Sequence, residues 1–206
     1  MRKLFRDFYS DLKSSRHYLI ASTLVFMIGI YAGFSSGNLQ GILAQQIEEI
    51  RKLAQMLDQM NNTQLWLFVF IFFNNLLKAL LFVALGGFFG LFPLYSLVMN
   101  GMILGFLAHT TQANGGDLPQ MVVRGILPHG IIELPAIILA GAYGIRFGFI
   151  VARGTISWLI PAKRKAAGQQ IAYFLKMTIP LMLVLIVSLF VAAIIESSFT
   201  YWLVRH

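Results

Sequence analysis

Apolar residues gather along this chain into five long runs, at about 18–34, 65–85, 88–108, 122–147 and 178–195. In helical form, at about 1.5 Å of rise per residue, runs of this length reach across the ~30 Å hydrocarbon core of a bilayer. Only Gly86-Gly87 separate the second run from the third, whereas a polar loop, HTTQANGGDLPQ (109–120), and a long basic stretch divide the later ones. The pattern predicts an all-α fold: a polytopic transmembrane helix bundle of five spans, a single integral membrane domain over 1–206 with no separate soluble domain.

Two further stretches carry a helical period without being apolar throughout. In 1–17 (MRKLFRDFYSDLKSSRH), Leu4, Phe5, Phe8 and Leu12 fall on one side with basic residues opposite, which predicts a cytoplasmic interfacial helix. In 39–62, Leu43, Ile47, Ile50, Ala54, Leu57 and Met60 recur at steps of three and four, with Gln, Glu, Arg and Lys between them. That is an amphipathic helix outside the membrane. Its apolar face rests on lipid, caps the bundle or docks a partner protein, and Leu43, Ile47, Ile50 and Leu57 are its candidate partner surface. No small-x-small cleavage pattern follows the first run, which reads as a retained anchor and not a signal peptide.

Composition agrees with the membrane reading. The chain is 58% hydrophobic and 12% charged, with mean hydropathy +0.74; soluble domains carry about twice that charged fraction. The absence of cysteine excludes disulfides and thiolate metal sites. A net charge of +8 raises the question of nucleic acid, but the basic residues flank apolar runs, which fits topology and anionic lipid headgroups instead. With the N-terminus inside, five Lys and Arg in 1–17 and six in 146–176 face the cytoplasm, against four outside: Arg51, Lys52, Arg124 and Arg205. The positive-inside rule therefore predicts a cytoplasmic N-terminus, an extracytoplasmic C-terminus and an extracytoplasmic 39–62 helix, with 148–177 a basic cytoplasmic segment.

The polar residues within the runs are the candidates for chemistry. HGIIELP (129–135) places Glu133 about 15 Å below the outer end of the fourth run. Asn74 and Asn75 in FFNNLLK, and Asn100 in VMNG, come to a similar depth. An ionised acid at that level costs about 2.5–3.5 kcal/mol unless partnered, so such residues face the bundle interior. The expectation is an intramembrane polar layer of Asn74, Asn75, Asn100, Glu133 and His129, with the amides donating to the carboxyl and His129 one helical turn away on the same face. Lys78, deeper still, either joins this layer or snorkels inward. Pro135 lacks an N–H and marks a helix bend. Ala140, Gly144 and Gly148, and likewise Gly101 and Gly105, form four-residue ladders of small residues that let helix backbones approach closely.

Such a layer serves as structural glue, as a polar path for an ion, proton or small solute, or as a catalytic or metal site. The last is the weakest reading. His-x-x-x-Glu offers two ligands and is not the His-Glu-x-x-His of zinc proteases. No serine or threonine sits in a nucleophile elbow, and no glycine-rich phosphate loop is present. Neither catalytic residues nor a metal or other cofactor are expected, and the chain does not read as an enzyme.

NN followed by a basic residue in the second run, NGMILG in the third and HGIIELPAIILAGAYGIRFG in the fourth together resemble the stage II sporulation protein M family. The resemblance implies a non-enzymatic scaffold in the bacterial cell membrane, part of a peptidoglycan-remodelling complex at the sporulation septum. There it recruits hydrolases resembling the stage II sporulation proteins D and P during engulfment. The family pattern falls on Asn74, Asn75, Asn100, Gly101, His129, Glu133, Pro135 and Gly141. The expected partners are membrane lipids, such hydrolases and further copies of the chain in a homo-oligomer, with no nucleic acid. The rival reading is a small transporter or channel whose pathway is the Asn/Glu/His layer.

Overall fold

Among the described residues, five helices are long and apolar enough to cross a membrane: Arg16–Ser35, Thr63–Gly87, Leu91–Ala113, Gly130–Thr155 and Arg164–Ser198. They are seen in a computed structural model that describes residues 2–35, 40–59, 61–158 and 163–200, among which no strand occurs. In chain order the helices are α1 (Arg2–Ser14), α2 (Arg16–Ser35), α3 (Gln40–Asp58), α4 (Thr63–Ala84), α5 (Leu91–Ala113), the single turn α6 (Leu118–Gln120), α7 (Leu127–Trp158) and α8 (Arg164–Ile195). A 3-10 turn, Leu85–Gly87, ends α4, while π-helical turns at Met121–Ile126 and Glu196–Thr200 lead into α7 and out of α8. The Asp117 side chain caps α6 by accepting the Gln120 amide at 3.2 Å.

The number of crossings matches the five apolar runs, but the limits of the last two differ. The fourth crossing begins at Gly130 and continues past Arg146 to Thr155, and the fifth helix begins at Arg164, well before residue 178. Most of 148–177 is thus the end of α7 and the start of α8. The physical reason is Arg146, whose charge is paired inside the bundle and so does not end the helix.

Close packing follows the glycines. On α2, Gly29 and Gly33 press on the α5 backbone at Val98 and Met102; on α5, Gly101 and Gly105 press on the α2 backbone at Phe26 and Ile30. A Cβ added at any of the four would lie under 3.0 Å from that backbone, so the two small-residue ladders face each other. Gly144 meets Phe82, Gly86 meets Gly144, and Gly148 meets Gly90, where the chain turns from α4 into α5. Gly90 has φ 74°, a left-handed conformation in which a side chain would be strained. Gly141 faces the side chain of Leu97, which is fully buried. The Ser22 hydroxyl donates to the Ile138 carbonyl at 2.8 Å and ties α2 to α7. Pro135 stands inside α7 with its ring exposed, and the helix runs on through it.

The first helix belongs to the bundle. Phe8 is buried, Leu4 and Leu12 pack on the core, and α1 touches α2 and α8. Of the four apolar residues on its predicted lipid face, Phe5 alone is largely exposed. The helix α3 lies against α4 and α5.

Candidate functional site

Asn75 and Lys78 lie three residues apart on α4 and so share a face. Asn75 is buried, and its side chain hydrogen-bonds the Glu133 carboxyl on α7. Lys78 lies close enough to Glu133 for the two opposite charges to attract. Glu196, in the π-helical turn that follows α8, stands within electrostatic reach of the same carboxyl. That turn packs on both α4 and α7. Three helices therefore bring one cation, two carboxyls and an amide together in a region where an unpartnered charge is costly.

The predicted layer is thus only partly assembled. Asn75 and Glu133 meet, and Lys78 joins them. Asn74, one residue and about 100° round the helix from Asn75, lines a different groove of about 580 Å³ with Leu57, Trp66, Phe70, Phe73 and Leu77. Asn100 donates from Nδ2 to the carbonyl of Ser96 at 2.7 Å, satisfied by its own helix. It lines a groove of about 330 Å³ whose wall also includes Lys78, Gln46, Glu49 and Tyr95. The His129 side chain lies outside the described residues. Glu196 gives no signal in the sequence because it follows directly on Ile195, the last residue of the fifth apolar run.

A second charged cluster had no counterpart in the sequence reading. Asp11 on α1 is 3% exposed and accepts three hydrogen bonds: Arg146 Nη1 to Oδ2 at 2.5 Å, Arg146 Nη2 to Oδ1 at 2.8 Å, and the Tyr143 hydroxyl to Oδ2 at 2.8 Å. The guanidinium also stands 5.6 Å from the Tyr143 ring centroid and 5.9 Å from that of Phe174, within cation–π range. The fork geometry of arginine suits this bidentate grip on a carboxylate. A signal for it exists in the sequence: Asp11 falls seven residues after Leu4 and three after Phe8, so an acid interrupts the apolar face of α1.

The proposed partner surface on α3 also changes. Leu43 is 1% exposed and packs with Met102 and Phe106 of α5, so it cannot meet a partner. Leu57 is half-buried beside the Asn74 groove. The side chains of Ile47 and Ile50 lie outside the described residues. Among the described side chains of α3, Leu53, on the wall of the groove shared with Lys78 and Asn100, and Met56 are 42% and 60% exposed. Among the described residues no three His, Asp or Glu side chains converge as metal ligands.

The profile of the Stage II sporulation protein M family matches residues 22–201. The chain belongs to that family. The match takes in every crossing helix from Ser22 onward and the whole Asn75–Lys78–Glu133–Glu196 cluster. It includes Arg146 but begins after Asp11, so the arginine lies within the family's region and its carboxylate partner outside it. Among curated proteins, this family member is similar to two uncharacterized proteins of Methanocaldococcus jannaschii. One is 29% identical over 142 residues, covering 69% of this chain but 59% of the relative, less than two thirds of its length. The other is 25% identical over 186 residues, covering 90% of this chain and 97% of the relative. No solved structure matches.

Proposed function

We propose that this member of the stage II sporulation protein M family is a non-enzymatic membrane scaffold that positions peptidoglycan hydrolases at the outer face of the membrane. Membership of the family supports a place in sporulation, and with it engulfment and the sporulation septum. The observation that carries the scaffold reading is the arrangement of α3. One end is fixed to the bundle through Leu43, while further along the helix Met56 is exposed and Leu53 stands partly exposed on the wall of the groove that α3 forms with α4 and α5. A helix anchored in this way offers a preorganised apolar surface to a partner, lowering the ordering cost of docking. The partners proposed are hydrolases resembling the stage II sporulation proteins D and P. Leu53→Glu/Met56→Glu should reduce co-purification of the hydrolase at least several-fold while the protein stays folded in the membrane. Undiminished recovery with this double variant refutes the docking role of α3.

One observation favours transport as a second reading. Lys78 lines the groove shared with Asn100 and Tyr95 and also lies within electrostatic reach of Glu133, so an open groove and a half-buried carboxyl meet at one side chain. Proteoliposomes holding folded protein should then show proton or monovalent-cation flux that Glu133→Gln abolishes. Flux no greater than in protein-free liposomes removes this reading.

A further inference from the structure

A cavity between α2, α7 and α8 takes no part in either reading. It holds about 470 Å³, and its polar wall consists of Tyr18, Arg146, Arg153, Gln169, Gln170 and Tyr173. Each of these side chains can donate a hydrogen bond, two are permanently positive, and no acidic residue lines the space. Asp11 already compensates the charge of Arg146. Arg153 is exposed and has no carboxylate partner among the described residues, and Gln169 and Gln170 are exposed beside it. The wall therefore presents one uncompensated guanidinium and two free amides to whatever enters.

The position of the cavity narrows the choice of ligand. Arg153 stands two residues from the end of the fourth crossing at Thr155, and Gln169 and Gln170 lie in the second turn of α8, just beyond the basic run Lys163–Lys165. The polar groups are thus at the boundary of the apolar zone, on the side that carries most of the positive charge, while Ile150 and Ala166 add an apolar wall. We propose that this cavity binds a phosphate anion carried by the headgroup of an anionic phospholipid, with Arg153, Gln169 and Gln170 donating to the phosphate oxygens. Planar guanidinium forks match phosphate oxygens, and basic pockets between membrane helices on the cytoplasmic side suit such headgroups.

The test uses the full chain purified in dodecyl maltoside, titrated at constant ionic strength with phosphatidylglycerol, phosphatidylcholine or sodium phosphate and followed by its thermal unfolding midpoint. Phosphatidylglycerol should raise the midpoint at concentrations where phosphatidylcholine does not. Arg153→Gln should raise the half-saturating concentration of phosphatidylglycerol about five-fold, the loss of one surface cation–phosphate contact. Gln169→Leu/Gln170→Leu should weaken it in the same direction without changing charge. Arg124→Gln, an exposed arginine near the start of α7, should leave it unchanged. A response to phosphatidylglycerol that is identical in wild type and Arg153→Gln, or lost equally in Arg124→Gln, overturns the site. A full shift from sodium phosphate alone, abolished by Arg153→Gln, overturns the lipid as the source and leaves a free-phosphate site.

Discussion

Removing one partner of the Asp11–Arg146 pair tests whether α1 is built into the bundle. The two side chains are 2% and 13% exposed, held by two hydrogen bonds to each other and a third from Tyr143. Breaking a buried pair by deleting one member leaves the other charge desolvated, which costs about 3–5 kcal/mol, whereas replacing both with apolar groups is close to neutral. Asp11→Leu and Arg146→Met should therefore each destabilise the protein by about 3–5 kcal/mol, and the double variant by far less than their sum. For a chain of this size 1 kcal/mol moves the unfolding midpoint by about 2–4 °C, so each single variant should melt roughly 6–20 °C below wild type. Thermal unfolding in detergent, followed by intrinsic fluorescence, measures all three against wild type. Arg146→Lys separates charge from geometry, since an ammonium cannot make the bidentate contact and should recover only part of the loss. If Arg146→Met melts with wild type, or if the two single effects simply add, the pair is not a buried lock and α1 is not part of the core.

Other substitutions test the packing and the second cluster. Gly101→Ala pushes a Cβ into the α2 backbone and should destabilise by about 1–3 kcal/mol, read as a lower unfolding midpoint. Gly168→Ala adds a Cβ in open space within α8 and should stabilise by about 0.5–1 kcal/mol in the same measurement. Lys78→Met leaves Glu133 facing Glu196 with no cation between α4 and α7; it should reduce the yield of folded, monodisperse protein on size exclusion, and Lys78→Met/Glu133→Gln should restore it.

The crossings were legible because a bilayer admits few solutions: a long apolar run has to become a helix. What the runs could not show is which charges end a helix and which are swallowed by it. Arg146 reads as a loop residue until Asp11, 135 residues away, is known to sit against it. Asn74 and Asn75 look equivalent in FFNNLLK, yet one residue of helical rotation sends the first to an outer groove and the second to Glu133. Asn100 reads as a donor to the acid, but its amide donates to a carbonyl one turn back on its own helix. The glycine ladders on α5 and α7 were visible as spacing, whereas the matching pair on α2, Gly29 and Gly33, became meaningful only when the two helices were seen in contact.

The long motif through α7 has a physical explanation in the position of that helix. Half of its crossing window is buried, against 22–33% for the other four, so α7 is the central post of the bundle. It touches α2, α4, α5 and α8, and each neighbour makes a separate demand on its sequence. The Ile138 carbonyl receives Ser22 from α2, Gly141 accommodates Leu97 from α5, and Gly144 and Gly148 admit α4 and the turn after it. Glu133 and Arg146 stand thirteen residues apart, about 20 Å along the axis, so the two charge clusters grip α7 at different levels. A lipid-facing helix can exchange one apolar residue for another at little cost, but a central helix meets several different surfaces at fixed heights and cannot. The same geometry bears on self-association. The glycine ladders of α2, α5 and α7 are occupied within one chain and so are not open to a second copy.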